Sequence, residues 1–207
     1  MTGSAGSQAL WRAAATLGRR RRLGKGLPVV WFVTDPERTP DPVAIAERLP
    51  RGAGVIFRHF GRPDAGPVAA RLSAVARRRG LVLLIGADDA LAAKVGANGV
   101  HLPERQVGRL GRMRAKRPGW LITVAAHTPR ALAAGGRADG VLLSTVFASR
   151  SPSAGRPIGA VRLAALVRRS VAPVYALGGV GAGTVGRLLG SRAAGFAAVE
   201  AFSADRP

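Results

Sequence analysis

The 207-residue chain contains 32 Lys and Arg against 11 Asp and Glu, carries a formal net charge of +21 and is 47% hydrophobic, which suits one domain with a sizeable core. It has no cysteine, which excludes disulfides, thiolate metal sites, iron–sulfur clusters and a cysteine nucleophile. No apolar run reaches the roughly 18 residues of a membrane-spanning helix, so we expect a cytoplasmic protein without a membrane span.

Residues 1–27 differ in composition from the rest and predict a basic N-terminal extension. They contain no acidic residue and hold the densest basic cluster, Arg19–Arg22, while Leu10, Trp11 and Leu17 allow a short amphipathic helix. The segment lacks the apolar stretch that a secretory signal peptide requires. We therefore expect a frayed basic arm or a helix that packs under the domain, with the domain itself at residues 28–204.

From Leu27 onward, eight short apolar runs alternate with helical stretches. The predicted strands are Val29–Thr34, Gly54–His59, Leu81–Gly86, Gly99–Leu102, Leu121–Ala126, Gly140–Leu143, Val174–Leu177 and Gly195–Val199. The predicted helices lie near Pro42–Leu49, at Pro67–Arg79, from Asp88 or Asp89 to Val95, and at Arg109–Arg117, Thr128–Gly135, Gly159–Arg169 and Thr184–Leu189. Strands that are apolar on both faces indicate a parallel sheet covered by helices.

Eight such units predict a closed (β/α)8 TIM barrel, a single α/β domain. The rival is an open, doubly wound sheet, which needs a phosphate-binding glycine turn after its first strand. Here the first strand ends in Thr34-Asp35-Pro36 and has no such turn. The barrel is therefore the favoured fold, and functional residues are expected at the C-terminal ends of its strands.

Two segments at these strand ends are candidate phosphate sites. Gly178 and Gly179 directly follow the seventh strand, where two glycines let the backbone approach an anion. The alternative is a tight turn between strand and helix. Ser149, Arg150 and Ser151 lie in the long loop after the sixth strand and could bind a phosphate through hydroxyl and guanidinium donors. An ordinary mobile loop of this composition is equally consistent with the sequence.

Charged and titratable residues also fall at strand ends. Arg58 ends an apolar strand, where a charge needs a partner, and either an anionic ligand or Asp35 on the neighbouring strand would provide one. All three histidines (His59, His101 and His127) lie at strand ends and could be general acids or bases, or structural imidazoles. Asp88 and Asp89 are adjacent carboxylates that helix capping explains adequately.

Five motifs occur in the order and spacing of the thiamine phosphate synthases, which the chain resembles from about Leu27 to Phe202. They are Val-Thr-Asp at 33–35, Gly-Val-His-Leu at 99–102, Ala-His-Thr at 126–128, Ala-Asp-Gly-Val with Thr-Val-Phe-Ala-Ser-Arg-Ser at 138–151, and Pro-Val-Tyr-Ala-Leu-Gly-Gly-Val at 173–180. The related thiazole tautomerases share the fold. The resemblance implies a (β/α)8 barrel that joins hydroxymethylpyrimidine diphosphate to thiazole phosphate and releases diphosphate with magnesium.

The resemblance also implies roles for individual residues. Arg58 matches a diphosphate-binding Arg on the second strand, and His127 matches the His of a Ser-x-His motif, so both are predicted catalytic residues. Substrate phosphate is assigned to the matching loop and turn, which comprise Ser149, Arg150, Ser151, Gly178 and Gly179. The family's chemistry is dissociative: diphosphate leaves, a pyrimidine-stabilised cation forms, and the thiazole nitrogen attacks it.

Several positions depart from the family pattern. The replaced polar residues are a Gln and a Lys at Ile56 and Phe60, a Ser at Ala125, a Lys at Pro152, a phosphate-binding Ser at Glu200, and the tautomerase's active His at Thr145. For magnesium, Gly86-Ala87 stands in place of Asn-Asp, and Pro103-Glu104-Arg105-Gln106 in place of Gly-Gln-x-Asp. Magnesium is expected from the family, yet its ligands are largely missing, and Asp88 is the one candidate close to a ligand position.

Three hypotheses follow. The first is a synthase that acts on phosphorylated thiamine precursors. The second is a tautomerase-like enzyme or a non-catalytic binder of phosphorylated metabolites, with His127 or His101 as acid and base. The third is an arginine-rich protein that associates with nucleic acid or membrane, but no RNA-binding aromatic signature or recognition helix supports a specific nucleic-acid partner. The sequence leaves a homodimer open.

Overall fold

The centre of the molecule is a closed barrel of eight parallel strands. The computed structural model describes residues 5–20, 26–59, 61–151 and 154–203. The strands are β1 (Val30–Val33), β2 (Gly54–Phe57), β3 (Val82–Gly86), β4 (Gly99–Leu102), β5 (Leu121–Ala126), β6 (Gly140–Leu143), β7 (Val174–Ala176) and β8 (Gly195–Ala198). Each strand pairs with the next, and β1 pairs with β8 to close the ring. The predicted (β/α)8 barrel is confirmed.

Some of the sequence predictions fall on residues that the structure does not describe. These are residues 1–4 and 21–25 of the basic extension, and Phe60, Pro152 and residue 204 of the barrel domain. In the remainder of the chain, no helix is long and apolar enough to cross a membrane.

Helices cover the outside of the barrel. They are α1 (Ala5–Arg20), α2 (Pro42–Arg48), α3 (Ala65–Arg79), α4 (Asp89–Val95), α5 (Leu110–Lys116), α6 (Pro129–Ala134) and α7 (Gly159–Arg169). Asp41, Asp88 and Thr128 begin α2, α4 and α6, because each side chain accepts a hydrogen bond from a backbone N–H of the first turn.

The helix predicted at Thr184–Leu189 is only a short 3-10 helix, Val185–Leu188. Gly186 lies within it and glycines 183 and 190 lie on either side, and glycine weakens a helix interior by about 1 kcal/mol relative to alanine. Another 3-10 helix, Glu200–Phe202, is the element that follows β8. An α-helix after β8 is therefore absent from the described part of the chain.

Helix α1 covers the strands that this missing helix would leave exposed. Helix α1 contacts β8 and the 3-10 helix Val185–Leu188 that precedes β8. Its buried side chains are Leu10, Ala13, Ala14 and Leu17. Trp11 stacks on Phe202, with 5.7 Å between the ring centroids. The amphipathic pattern read at residues 10–17 thus becomes part of the outer hydrophobic layer, and α1 lies alongside the barrel.

Inside the barrel, two large aromatic residues pack against each other. Trp31 and Tyr175 are fully buried and meet edge to face, with ring centroids 6.1 Å apart. Their neighbours are glycines: a Cβ on Gly54 would lie 2.2 Å from Trp31, and one on Gly140 would lie 2.9 Å from Tyr175. Large side chains from two strands therefore fill space that glycines on adjacent strands leave open.

The alternation of side chains along each strand decides which residues reach the mouth of the barrel. Ile56 on β2 belongs to the interior cluster with Trp31, and successive residues of a strand point to opposite sides. Arg58, two residues beyond Ile56, therefore continues the inward-facing row. The inward rows of the other strands end in the same way, so the C-terminal mouth is lined by the last inward residue of each strand.

We expect α1 to contribute to the free energy of unfolding of the barrel. Replacing Leu10, which is 2% exposed, by alanine should lower the free energy of unfolding by about 2 to 5 kcal/mol in a urea titration, because it leaves a cavity against β8. The matched control is Gln8→Ala on the exposed face of the same helix, which should change stability by no more than about 0.5 kcal/mol. Equal effects of the two substitutions would show that α1 does not stabilise the barrel.

Candidate active site

A cavity of about 580 Å³ opens at the C-terminal end of the barrel, the end that carries the active site in enzymes of this architecture. The sequence-predicted site residues that line it are Arg58, His127, Ser149, Arg150, Ser151, Gly178 and Gly179. His101, Glu104 and Glu200 line it as well. The diglycine turn, the serine loop and the guanidinium of the second strand thus share one mouth, whereas Asp88 and His59 lie outside it.

Arg58 is held at the end of β2 by the neighbouring strand. Its backbone N–H donates to Thr34 Oγ1 at 2.8 Å, and the Thr34 hydroxyl donates back to the Arg58 carbonyl at 3.3 Å. Burial lowers the pKa of Arg58, and the Asp35 charge opposes this shift. The ion pair of Asp35 is with Arg38, at 2.7 Å, and the hydrogen bond from Arg38 lowers the pKa of the Asp35 carboxyl. Asp35 therefore acts on Arg58 through its charge, while its direct partner is Arg38.

His101 is a buried imidazole at the end of β4. Its Nδ1 lies 2.9 Å from Thr123 Oγ1. Burial lowers the pKa of His101 to about 3, and the nearby charges of Arg58 and His127 add to the effect. His101 is therefore neutral near pH 7 and adds polarity but no charge to the cavity wall.

His127 is bound to a carboxylate that sequence reasoning did not select as functional. Glu104 Oε2 lies 2.7 Å from His127 Nδ1 and also accepts the backbone N–H of His127 at 2.8 Å. Glu104 begins the 3-10 helix Glu104–Arg109 that follows β4, next to the end of β5. An acidic residue just after β4 and a histidine just after β5 are the sequence signal for this pair, because parallel neighbouring strands end at the same rim.

The diglycine turn packs tightly on the loop after β6. Gly178 and Gly179 have φ values of +90° and +62°, and a Cβ on Gly179 would lie 2.1 Å from the Ala148 carbonyl oxygen. The carbonyls of Leu177 and Gly178 accept hydrogen bonds from Val146 and Phe147 in that loop, at 2.9 and 3.0 Å. In a trans peptide the N–H points opposite to the carbonyl, so the amides of both glycines point away from the loop. The diglycine turn therefore packs tightly on the loop and has two consecutive backbone N–H groups that point away from it. Consecutive N–H groups of this kind can donate hydrogen bonds to an anion.

Opposite charges meet at the serine loop. Arg150 Nη2 lies 3.1 Å from Glu200 Oε2, at the position where the family pattern has a serine. The backbone N–H of Ser151 donates to Ser149 Oγ at 3.3 Å, which holds the two hydroxyl-bearing residues in one turn. Glu200 therefore binds the arginine of this loop and offsets part of its charge.

The residues at the expected magnesium positions do not form a metal site. Asp88 accepts the Leu91 N–H at 2.8 Å as the cap of α4, and Gln106 Oε1 accepts from Arg109 at 2.8 Å. Across the described ranges, no group of three His, Asp or Glu side chains could hold a metal ion. The carboxylates that do line the cavity, Glu104 and Glu200, are each bound to a histidine or an arginine.

A closed (β/α)8 barrel with a polar cavity at the C-terminal ends of its strands has the architecture of the barrel enzymes, whose active sites lie at this end. The family model for thiamine monophosphate synthase matches residues 30–202. The chain belongs to this family, and the resemblance read from the strand-end motifs is confirmed.

Individual relatives agree with the family model. Thiamine-phosphate synthase from Anaeromyxobacter dehalogenans is 36% identical over 197 residues, covering 91% of this chain and 85% of that protein. Thiamine-phosphate synthase from Bacillus velezensis is 27% identical over 198 residues, with 88% and 87% covered. The structure of thiamine phosphate pyrophosphorylase from Pyrococcus furiosus superposes with a TM-score of 0.72 at 20% identity, covering 89% of this chain and 91% of that one. This last likeness shows the shared fold.

The close packing of the diglycine turn predicts a position-specific cost. Gly179→Ala should lower the free energy of unfolding by more than about 1 to 2 kcal/mol, because a left-handed backbone disfavours a side chain and the new Cβ would meet the Ala148 carbonyl. Gly183→Ala is the matched control, since a Cβ there meets nothing within 4 Å. Urea unfolding of both variants measures the difference, and equal stabilities would contradict the packing described.

The lowered pKa of His101 predicts acid sensitivity. The ordinary pKa of 6.5 applies to the unfolded chain and about 3 to the folded one, so between these values the unfolded chain binds a proton that the folded chain does not. Stability should fall as pH decreases from 6.5 towards 3, by up to about 1.4 kcal/mol per pH unit. His101→Gln should flatten the dependence of unfolding free energy on pH in this window. An unchanged slope in the variant would refute the assignment.

Proposed function

We propose that the protein is a thiamine phosphate synthase, which joins hydroxymethylpyrimidine diphosphate to thiazole phosphate and releases diphosphate. One observation supports the proposal: groups suited to bind anions line two opposite walls of the cavity. Arg58 follows β2, whereas Ser149 and Ser151 follow β6 and the diglycine turn follows β7. In a closed ring of eight strands, β2 and β6 are four strands apart and so lie on opposite walls. Two substrates that each carry phosphate need two such walls.

The chain's own groups suit a dissociative reaction. Arg58 binds the diphosphate, and the serines with the diglycine turn bind the thiazole phosphate, so that the two rings meet between them. The interior residues Val33, Leu142 and Ala197 give the floor an apolar surface, which excludes water from the cation formed when diphosphate leaves. Such a reaction depends on fixed charges and donors around the leaving group.

Magnesium would stabilise the leaving diphosphate if it were bound. Mg²⁺ is usually held by one or two carboxylates together with substrate oxygens. The residues at the family's ligand positions do not fit that requirement, since Asp88 caps a helix and Gln106 binds Arg109. A cytoplasmic location remains a prediction that accompanies the proposed function, and a homodimer stays open.

The function is tested by supplying both precursors and measuring thiamine phosphate by chromatography. Wild-type protein should form the product, and Arg58→Gln should lower kcat/KM for the pyrimidine diphosphate by about 10² to 10³-fold, because a charged donor to the leaving group is lost. The control is Arg62→Gln, whose side chain is half exposed, pairs with Asp64 and lies outside the cavity. No product at high enzyme concentration would refute synthase activity.

The two walls can be separated in the same assay. Ser151→Ala should raise KM for thiazole phosphate and leave KM for the pyrimidine diphosphate unchanged, since Ser151 lies on the wall opposite Arg58. Arg58→Gln should act mainly on the diphosphate substrate. Equal changes in both KM values for both variants would contradict the assignment of one substrate to each wall.

A further inference from the structure

Glu104 and His127 are hydrogen-bonded to each other and both line the cavity. An ionised carboxylate only accepts hydrogen bonds, so the 2.7 Å contact with Glu104 Oε2 means that His127 Nδ1 carries a proton. The same oxygen accepts the His127 backbone N–H at 2.8 Å, which fixes the orientation of the residue. The remaining ring nitrogen, Nε2, is then the atom of His127 that can exchange a proton. The side chain is 49% exposed and lines the cavity, so a ligand can reach it.

The surroundings of His127 suit an anionic leaving group. Arg58 and Arg105 line the same cavity, and the charges of Arg58 and His127 both act on His101. Arg58 and His127 therefore both lie near His101, on the side of the cavity formed by the ends of β2, β4 and β5, which is where a diphosphate held by Arg58 would lie. The positions expected to supply metal ligands hold a helix cap and a glutamine bound to arginine. The positive charge on this side of the cavity comes from side chains such as Arg58 and Arg105.

We propose that Glu104 and His127 together form the general acid that protonates the departing diphosphate, with His127 as the catalytic residue and Glu104 as its positioning residue. The inference rests on the proposed synthase function. His101 cannot take this role, because it is neutral near pH 7 and its Nδ1 is hydrogen-bonded to Thr123.

The proposed step balances without an oxidant or a further reactant. The bond between the pyrimidine methylene carbon and the diphosphate oxygen breaks, and both electrons go to that oxygen. A proton moves from Nε2 of the His127 imidazolium to the diphosphate, leaving a neutral imidazole whose Nδ1–H still donates to Glu104. The lone pair of the thiazole nitrogen then forms the new carbon–nitrogen bond.

A change of leaving group tests the role of the pair. With the diphosphate substrate, His127→Gln and Glu104→Gln should each lower kcat, His127→Gln by about 10² to 10⁴-fold, the usual contribution of general acid catalysis. With an analogue in which chloride replaces diphosphate, neither variant should lose rate relative to wild type, because chloride departs without a proton. KM for thiazole phosphate should stay unchanged. The matched control is Glu47→Gln, a carboxylate that pairs with Arg78 outside the barrel.

Equal losses with both leaving groups would show that the pair is merely structural, and no loss with either would remove it from the reaction. Both results overturn the proposal.

A second measurement is independent of turnover. In ¹⁵N spectra of histidine-labelled wild-type protein, recorded near pH 7 with inorganic diphosphate and EDTA, both ring nitrogens of His127 should carry a proton. Glu104→Gln should reduce the protonation of Nε2 in the complex, whereas Glu47→Gln should not. A His127 Nε2 without a proton in the wild-type complex overturns the proposal. If Nε2 is protonated as expected but no thiamine phosphate forms, the acid pair is supported and the proposed function fails.

Discussion

Closure of the parallel barrel is the constraint on which the rest of the structure depends. Once β1 pairs with β8, every second residue of each strand must face the interior, and the last inward residue of each strand must face the mouth. Arg58 reaches the cavity because it continues the row of Gly54 and Ile56, not because a local motif directs it there. Closure also places the loop after β6 across from β2. Topology alone therefore places Arg58 and the serine loop on opposite walls of the cavity.

The charged side chains at the mouth of the barrel form pairs between loops that are far apart in the sequence. Glu104 binds His127 and Glu200 binds Arg150, so each carboxylate of the cavity holds a cationic or protonatable partner. Arg58 is different, since its charge is partly buried and its pKa is lowered by desolvation. A group in that position gains more from an anionic ligand than an exposed arginine does, because interactions are screened less where water is excluded.

Local sequence patterns predicted the limits of several strands and the cap of a helix, because neighbouring residues determine these features. The limits of β4, β5 and β6 match their apolar runs, and the capping role considered for Asp88 is visible in the sequence as an aspartate just before a helix. Local patterns place Glu104 and His127 at the ends of neighbouring strands, but they do not specify which side chains of the site pair with each other. The Glu104–His127 pair joins residues 23 apart and the Arg150–Glu200 pair joins residues 50 apart. Such pairs require the strand register, which a single sequence does not contain.

Glu200 shows how a departure from a family pattern can be compatible with the same ligand. A carboxylate in place of a phosphate-binding serine repels an anion if it stands alone, but here it binds Arg150, whose side chain is 84% exposed. An exposed ion pair contributes only about 0 to 1 kcal/mol, whereas a guanidinium forms stronger, paired hydrogen bonds with a phosphate. Arg150 can therefore exchange Glu200 for a phosphate at small cost. The ion pair keeps the guanidinium at the mouth, beside Ser149 and Ser151, where the proposed function places the thiazole phosphate.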